Sequence, residues 1–202
     1  MASSPLSSPV VTKRGVKVTL NLVPPEEVIS HAGRLELVYC SAFGSAPWFE
    51  SARQARRFIL RLLDHTASSG FRLVIAEIDQ QLVGFAYGRI ALSRSEELEK
   101  RYLPLVEWLG PVVSQSVLFE TFELTEFAVA TSWQGQGIGA LVHDYLLTEA
   151  PCNKAWLITH ALAENAQALY RSRGWRATAN AGPAEEGARR TLMSISTGVG
   201  RS

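Results

Sequence analysis

Apolar and polar residues alternate along residues 16 to 23, and several are β-branched, which predicts a first strand. Pro24-Pro25-Glu26-Glu27 then marks a helix start. Proline there needs no amide partner, and the acids meet the positive end of the helix dipole. That helix is expected to reach about Phe43, and residues 44 to 47 break it. Ala55, Phe58, Ile59, Leu62 and Leu63 recur at three- and four-residue spacing and predict a second helix, ended by Ser68-Ser69-Gly70. Two apolar runs around Asp79-Gln80-Gln81 read as a β-hairpin. Residues 91 to 116 read as an insertion between strong strands. It carries a weaker helical stripe of Leu98, Tyr102, Leu105, Val106 and Leu109, interrupted by Pro104.

A long strand is expected over 118 to 130. Ile138, Leu141, Val142, Tyr145 and Leu146 predict a helix after it. A strand over 154 to 160, a helix over 165 to 172 closed by Gly174, and strands at 175 to 178 and 190 to 195 complete the chain. The order is β-α-α-β-β, insertion, β-α-β-α-β-β. Hairpins with only two late strand–helix alternations imply an α/β (α+β) fold: a mixed sheet with helices on its faces.

The chain has 202 residues, 47% apolar and 19% charged, which suits one globular domain. A net charge of +1 gives no nucleic-acid footprint. Cys40 and Cys152 lie too far apart to suggest a disulfide framework or metal spacing, and reduced thiols in a cytoplasmic protein are expected. No run approaches the roughly 20 apolar residues of a membrane span. The opening MASSPLSSPVVT is rich in Ser and Pro, so residues 1 to 14 are expected to be a disordered tail and 15 to 202 the folded domain.

Gln134-Gly135-Gln136-Gly137-Ile138-Gly139-Ala140 joins the long strand to an amphipathic helix. A helix start offers unpaired amides and partial positive charge, and glycines let an anion reach the backbone. A phosphate-bearing ligand is the expected occupant. A dinucleotide fits poorly: the strand signal stops near Ala130, and the next strand ends without an acid. No Gly-Lys-Ser/Thr of a P-loop follows. A tight turn without a ligand would need fewer glycines.

These residues carry a resemblance. Phe127-Ala128-Val129-Ala130-Thr131-Ser132-Trp133-Gln134-Gly135-Gln136-Gly137-Ile138-Gly139-Ala140 resembles motif A of the GNAT acyltransferase superfamily, through Gln134, Gly137 and Gly139. Asn165-Ala166-Gln167-Ala168-Leu169-Tyr170-Arg171-Ser172-Arg173-Gly174-Trp175 resembles motif B. Thr131 replaces a proline often found there. The resemblance implies a mostly antiparallel sheet of six to seven strands flanked by about four helices, with two splayed parallel central strands. It implies acetyl-CoA as acyl donor and no metal. Its pantetheine arm would pair with the backbone of Phe127, Ala128 and Val129, and its diphosphate would rest on the amides of Gln134, Gly135, Gln136, Gly137, Ile138, Gly139 and Ala140. Asn165 would contact the pantetheine and could also cap its helix. Tyr170 would protonate the departing thiolate. Trp175 reads as core.

A base must take a proton from the attacking amine. Glu123, six residues before Val129, stands where several family members place it. Glu126 lies on the same strand with opposite parity, and His160 ends the next strand. The resemblance places the acceptor site at the first two helices, their loop and the segment before the long strand. Trp48, Phe49, Trp108 and Glu120 there suit a small cationic or aromatic amine. A protein N-terminus or lysine as acceptor, and a non-catalytic acyl-CoA sensor, remain alternatives. The apolar C-terminal strands could form a homodimer edge. Neither a nucleic acid nor a membrane is an expected partner.

Overall fold

The computed structural model describes residues 9 to 93, 100 to 180 and 190 to 196. Among them run β1 (Val10–Val11), β2 (Lys17–Val23), α1 (Val28–Phe43), α2 (Ala52–His65), β3 (Arg72–Ile78), β4 (Gln81–Ile90) and α3 (Leu103–Val117). They continue with β5 (Phe122–Val129), α4 (Ile138–Glu149), β6 (Lys154–His160), α5 (Glu164–Ser172), β7 (Arg176–Asn180) and β8 (Arg190–Ser196). The strands follow the order β1-β2-β3-β4-β5-β6-β8-β7 in a mostly antiparallel sheet, with β5 and β6 parallel. This is the mixed α/β architecture expected, with eight strands and five α-helices among the described residues.

Three expectations need correction. Val10–Val11 pairs with Val18 and Lys17, so strand pairing already begins inside the stretch expected to be a tail; residues 1 to 8 lie outside the described part. Pro104 does not interrupt the inserted helix. It occupies the first turn of α3, where a proline's missing amide removes no bond. The kink falls at Gly110, which takes φ 74° beside Pro111. Leu98 of the expected stripe lies outside the described residues. The long strand starts at Phe122, because Leu118 caps α3 and the Thr121 hydroxyl donates to the carbonyls of Val117 and Leu118.

The chain forms two compact units. The first comprises the chain to Ala67, Phe71–Tyr87 and Glu126–Glu149. Here β2 and β3 pair antiparallel from Thr19↔Glu77 to Val23↔Leu73. Asp79 and Gln80 both have positive φ, so they form a two-residue turn whose twist matches the strands, and Gln81 already belongs to β4. Helix α2 starts at Ser51, whose amide and hydroxyl both donate to the Gln54 side chain. Leu35, Val38, Tyr39 and Phe43 of α1 meet Ala55, Phe58 and Leu62 of α2 in the core. Tyr39, Phe58 and Phe85 stack in succession, with centroids 4.4 and 5.3 Å apart. Each fully buried ring of this kind contributes about 1.5–3 kcal/mol.

The second unit comprises Ser68–Gly70, Gly88–Thr125 and the chain from Ala150. β6 pairs with β8 along its whole length, from Lys154↔Ser196 to His160↔Arg190. Trp156, fully buried, joins Leu92, Tyr102, Leu105, Leu118 and Leu192 in a second core. Gly88 permits an unusually close approach of strands. A Cβ there would lie 2.4 Å from the Glu123 carbonyl oxygen and from the Phe122 ring. The carbonyl belongs to the backbone and cannot turn away. Gly88→Ala is expected to destabilise the protein by about 1–3 kcal/mol, read as a lower urea midpoint; an unchanged midpoint would contradict this packing.

Candidate active site

Among the described residues, the parallel ladder between β5 and β6 runs over two register pairs, Phe122↔Ala155 and Glu123↔Trp156. Both strands continue past it, β5 to Val129 and β6 to His160. Along Leu124 to Val129, no further β6 partner stands among the described residues. A strand edge offers main-chain amides and carbonyls to a partner.

In the first unit, β5 passes through a short turn at Thr131–Trp133 into the glycine segment. Thr131, in place of the motif's proline, is tied to α1: its amide donates to Ser41 Oγ at 3.0 Å and its hydroxyl to the Ser41 carbonyl at 2.5 Å. The Gln134 side chain closes the turn by donating to the Val129 carbonyl at 3.0 Å. Gly135 and Gly137 have φ 72° and 88°, a region that side chains other than glycine's adopt at a cost. Ile138 is buried and anchors the start of α4. Leu141 is the first residue whose amide reaches back, to the Gly137 carbonyl at 3.4 Å. Among the described residues, no loop or turn carbonyl accepts from an amide of 135 to 140. Successive amides at a helix N-terminus form an anion cradle. Ala128 is buried in the core, while Phe127 and Val129 are half-buried.

The three candidate bases differ in environment. Glu126, in the first unit, pairs with Arg61 of α2 at 2.9 Å. Burial pushes the Arg61 guanidinium down, but the Glu126 carboxylate and Tyr87 outweigh it and the net shift is upward. The guanidinium therefore stays charged beside the Glu126 carboxylate. His160, in the second unit, accepts the Leu162 amide at Nδ1 over 3.0 Å. Its neutral tautomer therefore carries the proton on Nε2. Glu123 is 9% exposed and accepts a 2.5 Å hydrogen bond from the Tyr102 hydroxyl. Arg89 Nη2 donates to the same hydroxyl at 3.3 Å, and Arg89 Nη1 to Ser68 Oγ at 3.0 Å. Sequence reasoning placed Tyr102 only in a helical stripe; its bond to Glu123 spans 21 positions and leaves no local pattern.

Helix α5 also departs from expectation. Its N-cap position is Ala163, without a side-chain cap, and Asn165 is an exposed residue of the first turn, not its cap. The tie to β6 comes from Gln167, whose amide donates to the carbonyls of His160 and Ala161. Tyr170 is 5% exposed, with its ring 5.8 Å from that of Trp175. Trp175 is buried, as core placement required.

Trp48, in the first unit, packs edge-on against Phe43 at 5.3 Å, whereas Phe49 is 73% exposed. In the second unit, Trp108 is partly exposed, and exposed Glu120 accepts from Ser93 Oγ at 3.2 Å.

The profile described as "Acetyltransferase (GNAT) family" matches residues 37 to 175, more than half of the chain. The chain belongs to the GNAT acetyltransferase family. A GNAT protein is an acyltransferase, and the fold agrees with solved members. A proposed GNAT acetyltransferase from Desulfovibrio desulfuricans is 19% identical, with TM-score 0.57 over 89% of this chain and 99% of that one. The ribosomal-protein-S18-alanine N-acetyltransferase of Escherichia coli is 15% identical, with TM-score 0.57 over 90% and 95%. The yncA protein of Salmonella typhimurium, a proposed acetyltransferase solved with its cofactor acetyl-CoA, is 14% identical, with TM-score 0.57 over 92% and 96%. At these identities the likeness is one of fold. No curated protein is close enough in sequence to match. Among the described residues, no helix is long and apolar enough to cross a membrane.

Tyr39, at the α1–α2 end of this GNAT domain's first unit, donates its hydroxyl to Glu50. Burial, then the nearby Glu126 carboxylate and the bond to Glu50, raise its phenol well above the ordinary value. The folded protein thus holds this proton more tightly than the unfolded chain. The resulting stability is complete below about pH 10 and is lost as pH rises through the raised folded value. Urea midpoints are expected to fall above pH 10 in the parent and to fall less steeply in Tyr39→Phe. Equal slopes would show that Tyr39 titrates normally.

Proposed function

We propose that the protein transfers the acetyl group of acetyl-CoA to the primary amine of a small molecule, by direct attack in a ternary complex. The observation that carries this reading is the β5–β6 ladder that stops at Glu123↔Trp156 while β5 continues to Val129. The residues present fit such a carrier. The strand edge over Phe127, Ala128 and Val129 offers main-chain groups to a pantetheine arm, and the amides from Gln134 to Ala140 suit a diphosphate. Acetyl-CoA supplies the activated thioester.

The rest falls to side chains of this chain. An alkylammonium, with pKa about 10, must lose its proton before attack. Glu123 takes that role here, because Glu126 is held by Arg61 and His160 accepts a backbone amide at Nδ1. Tyr170 returns a proton to the departing sulfur. Phe49, Trp108 and Glu120, each exposed, and Trp48, packed beside Phe43, are the residues assigned to the acceptor. A protein N-terminus is the competing acceptor, given the fold shared with an enzyme that acts on a ribosomal-protein alanine.

Thiol release against a panel of small amines and N-terminal peptides tests this, with acetyl-CoA binding followed by calorimetry. Small amines are expected to turn over and peptides not; binding without turnover on any acceptor would leave a sensor. Tyr170→Phe is expected to lower kcat about 100-fold with little change in acetyl-CoA affinity. Gly137→Val, which forces a β-branched residue to φ 88°, is expected to weaken that affinity at least about tenfold. A Gly137→Val variant that binds like the parent would remove the diphosphate from this turn.

A further inference from the structure

We propose that the inserted segment is part of the catalytic machinery: Tyr102 is the positioning residue of Glu123, fixing one carboxylate oxygen and keeping the group ionised. This rests on the reading of Glu123 as the base. Tyr102 ends the short helical turn Lys100–Tyr102 that leads into α3, within the stretch that separates β4 from β5. It is 4% exposed, and its hydroxyl donates to Glu123 Oε2 at 2.5 Å. The ring is fixed from another side by Trp156, with centroids 6.0 Å apart and planes at 78°. Trp156 is also the register partner of Glu123, at the last pair of the parallel ladder. The carboxylate is thus held where the two strands stop pairing.

The hydroxyl is itself oriented. Arg89 on β4 donates to it, and Ser68 accepts from the other arm of the same guanidinium. With a donor pointing at its oxygen, the Tyr102 proton is directed toward Glu123. A carboxylate 91% buried would ordinarily tend to protonate, which would disable it as a base. A hydrogen bond to the charged form opposes that tendency, and Arg89 adds positive potential through the same hydroxyl. Among the described residues, Tyr102 from the insertion hydrogen-bonds Glu123 and Arg89 from β4 reaches it through that hydroxyl; its register partner on β6, Trp156, does not titrate. In the reaction, the amine N–H bond breaks and an O–H bond forms on Glu123, while Tyr102 keeps its own proton.

The test uses the full-length protein with 13C-labelled glutamate. The Glu123 carboxyl resonance is assigned by its loss in Glu123→Gln and titrated in the parent and in Tyr102→Phe, which keeps the ring against Trp156. Glu123 is expected to titrate about one pH unit or more higher in Tyr102→Phe. The acidic limb of the acetylation rate, measured with the best amine of the panel, should move upward by the same amount. A purely structural role for Tyr102 would lower the rate at every pH and leave the limb in place. An unchanged Glu123 titration in Tyr102→Phe overturns this inference and leaves the acetyltransferase reading standing. If Glu123→Gln keeps the parent's turnover and acidic limb, the base assignment falls and the role of Tyr102 falls with it.

Discussion

Two parallel strands that cease to pair after two residues set the terms for the rest of this molecule. β6 pairs with β8 on its other edge through all seven of its residues. β5 goes on for six residues beyond the last register pair, with main-chain donors and acceptors along that edge. Here the same strand leads directly into a turn whose glycines and helix start present another row of amides. Strand edge and turn are thus covalently consecutive, and one long ligand with an extended arm and an anionic head matches both.

The surrounding residues hold that backbone in place. Gly88 lets β4 approach Glu123 more closely than any side chain would permit. Thr131 donates twice to Ser41 at the end of β5, so α1 fixes the entry to the glycine turn where a proline would otherwise stiffen it. Gln134 spends its side chain on the Val129 carbonyl, which shapes the turn and gives this motif residue a structural duty of its own. Glu126 and Glu123, three residues apart on one strand, end up in opposite circumstances. One is an ion pair with α2, and the other is buried against a tyrosine hydroxyl. Strand parity alone separates them.

Much of this was legible in the chain. The prolines and acids at 24 to 27 marked the entry to α1, and the periodicity of Phe58 and Leu62 gave α2 its buried face. The glycine turn and the helix start after it were legible through local physics, since positive φ and a helix start are properties of a few consecutive residues. What escaped depended on contacts distant in sequence. Val10 and Val11 looked like part of a polar tail until β2 supplied a pairing edge. Pro104 read as a breaker because its place within the turn could not be seen. Asn165 looked like a cap but lies two residues past it, since helix α5 begins at Glu164 with Ala163 in the cap position. The Arg89–Tyr102–Glu123 chain draws on three segments, and no periodicity encodes it.

Amide hydrogen exchange with and without acetyl-CoA is the decisive measurement. Acetyl-CoA is expected to slow exchange along β5 from Leu124 to Val129 and across residues 135 to 140, both stretches together. Saturating acetyl-CoA that leaves both stretches exchanging as before, while protecting some other part of the chain, would contradict this placement of the ligand.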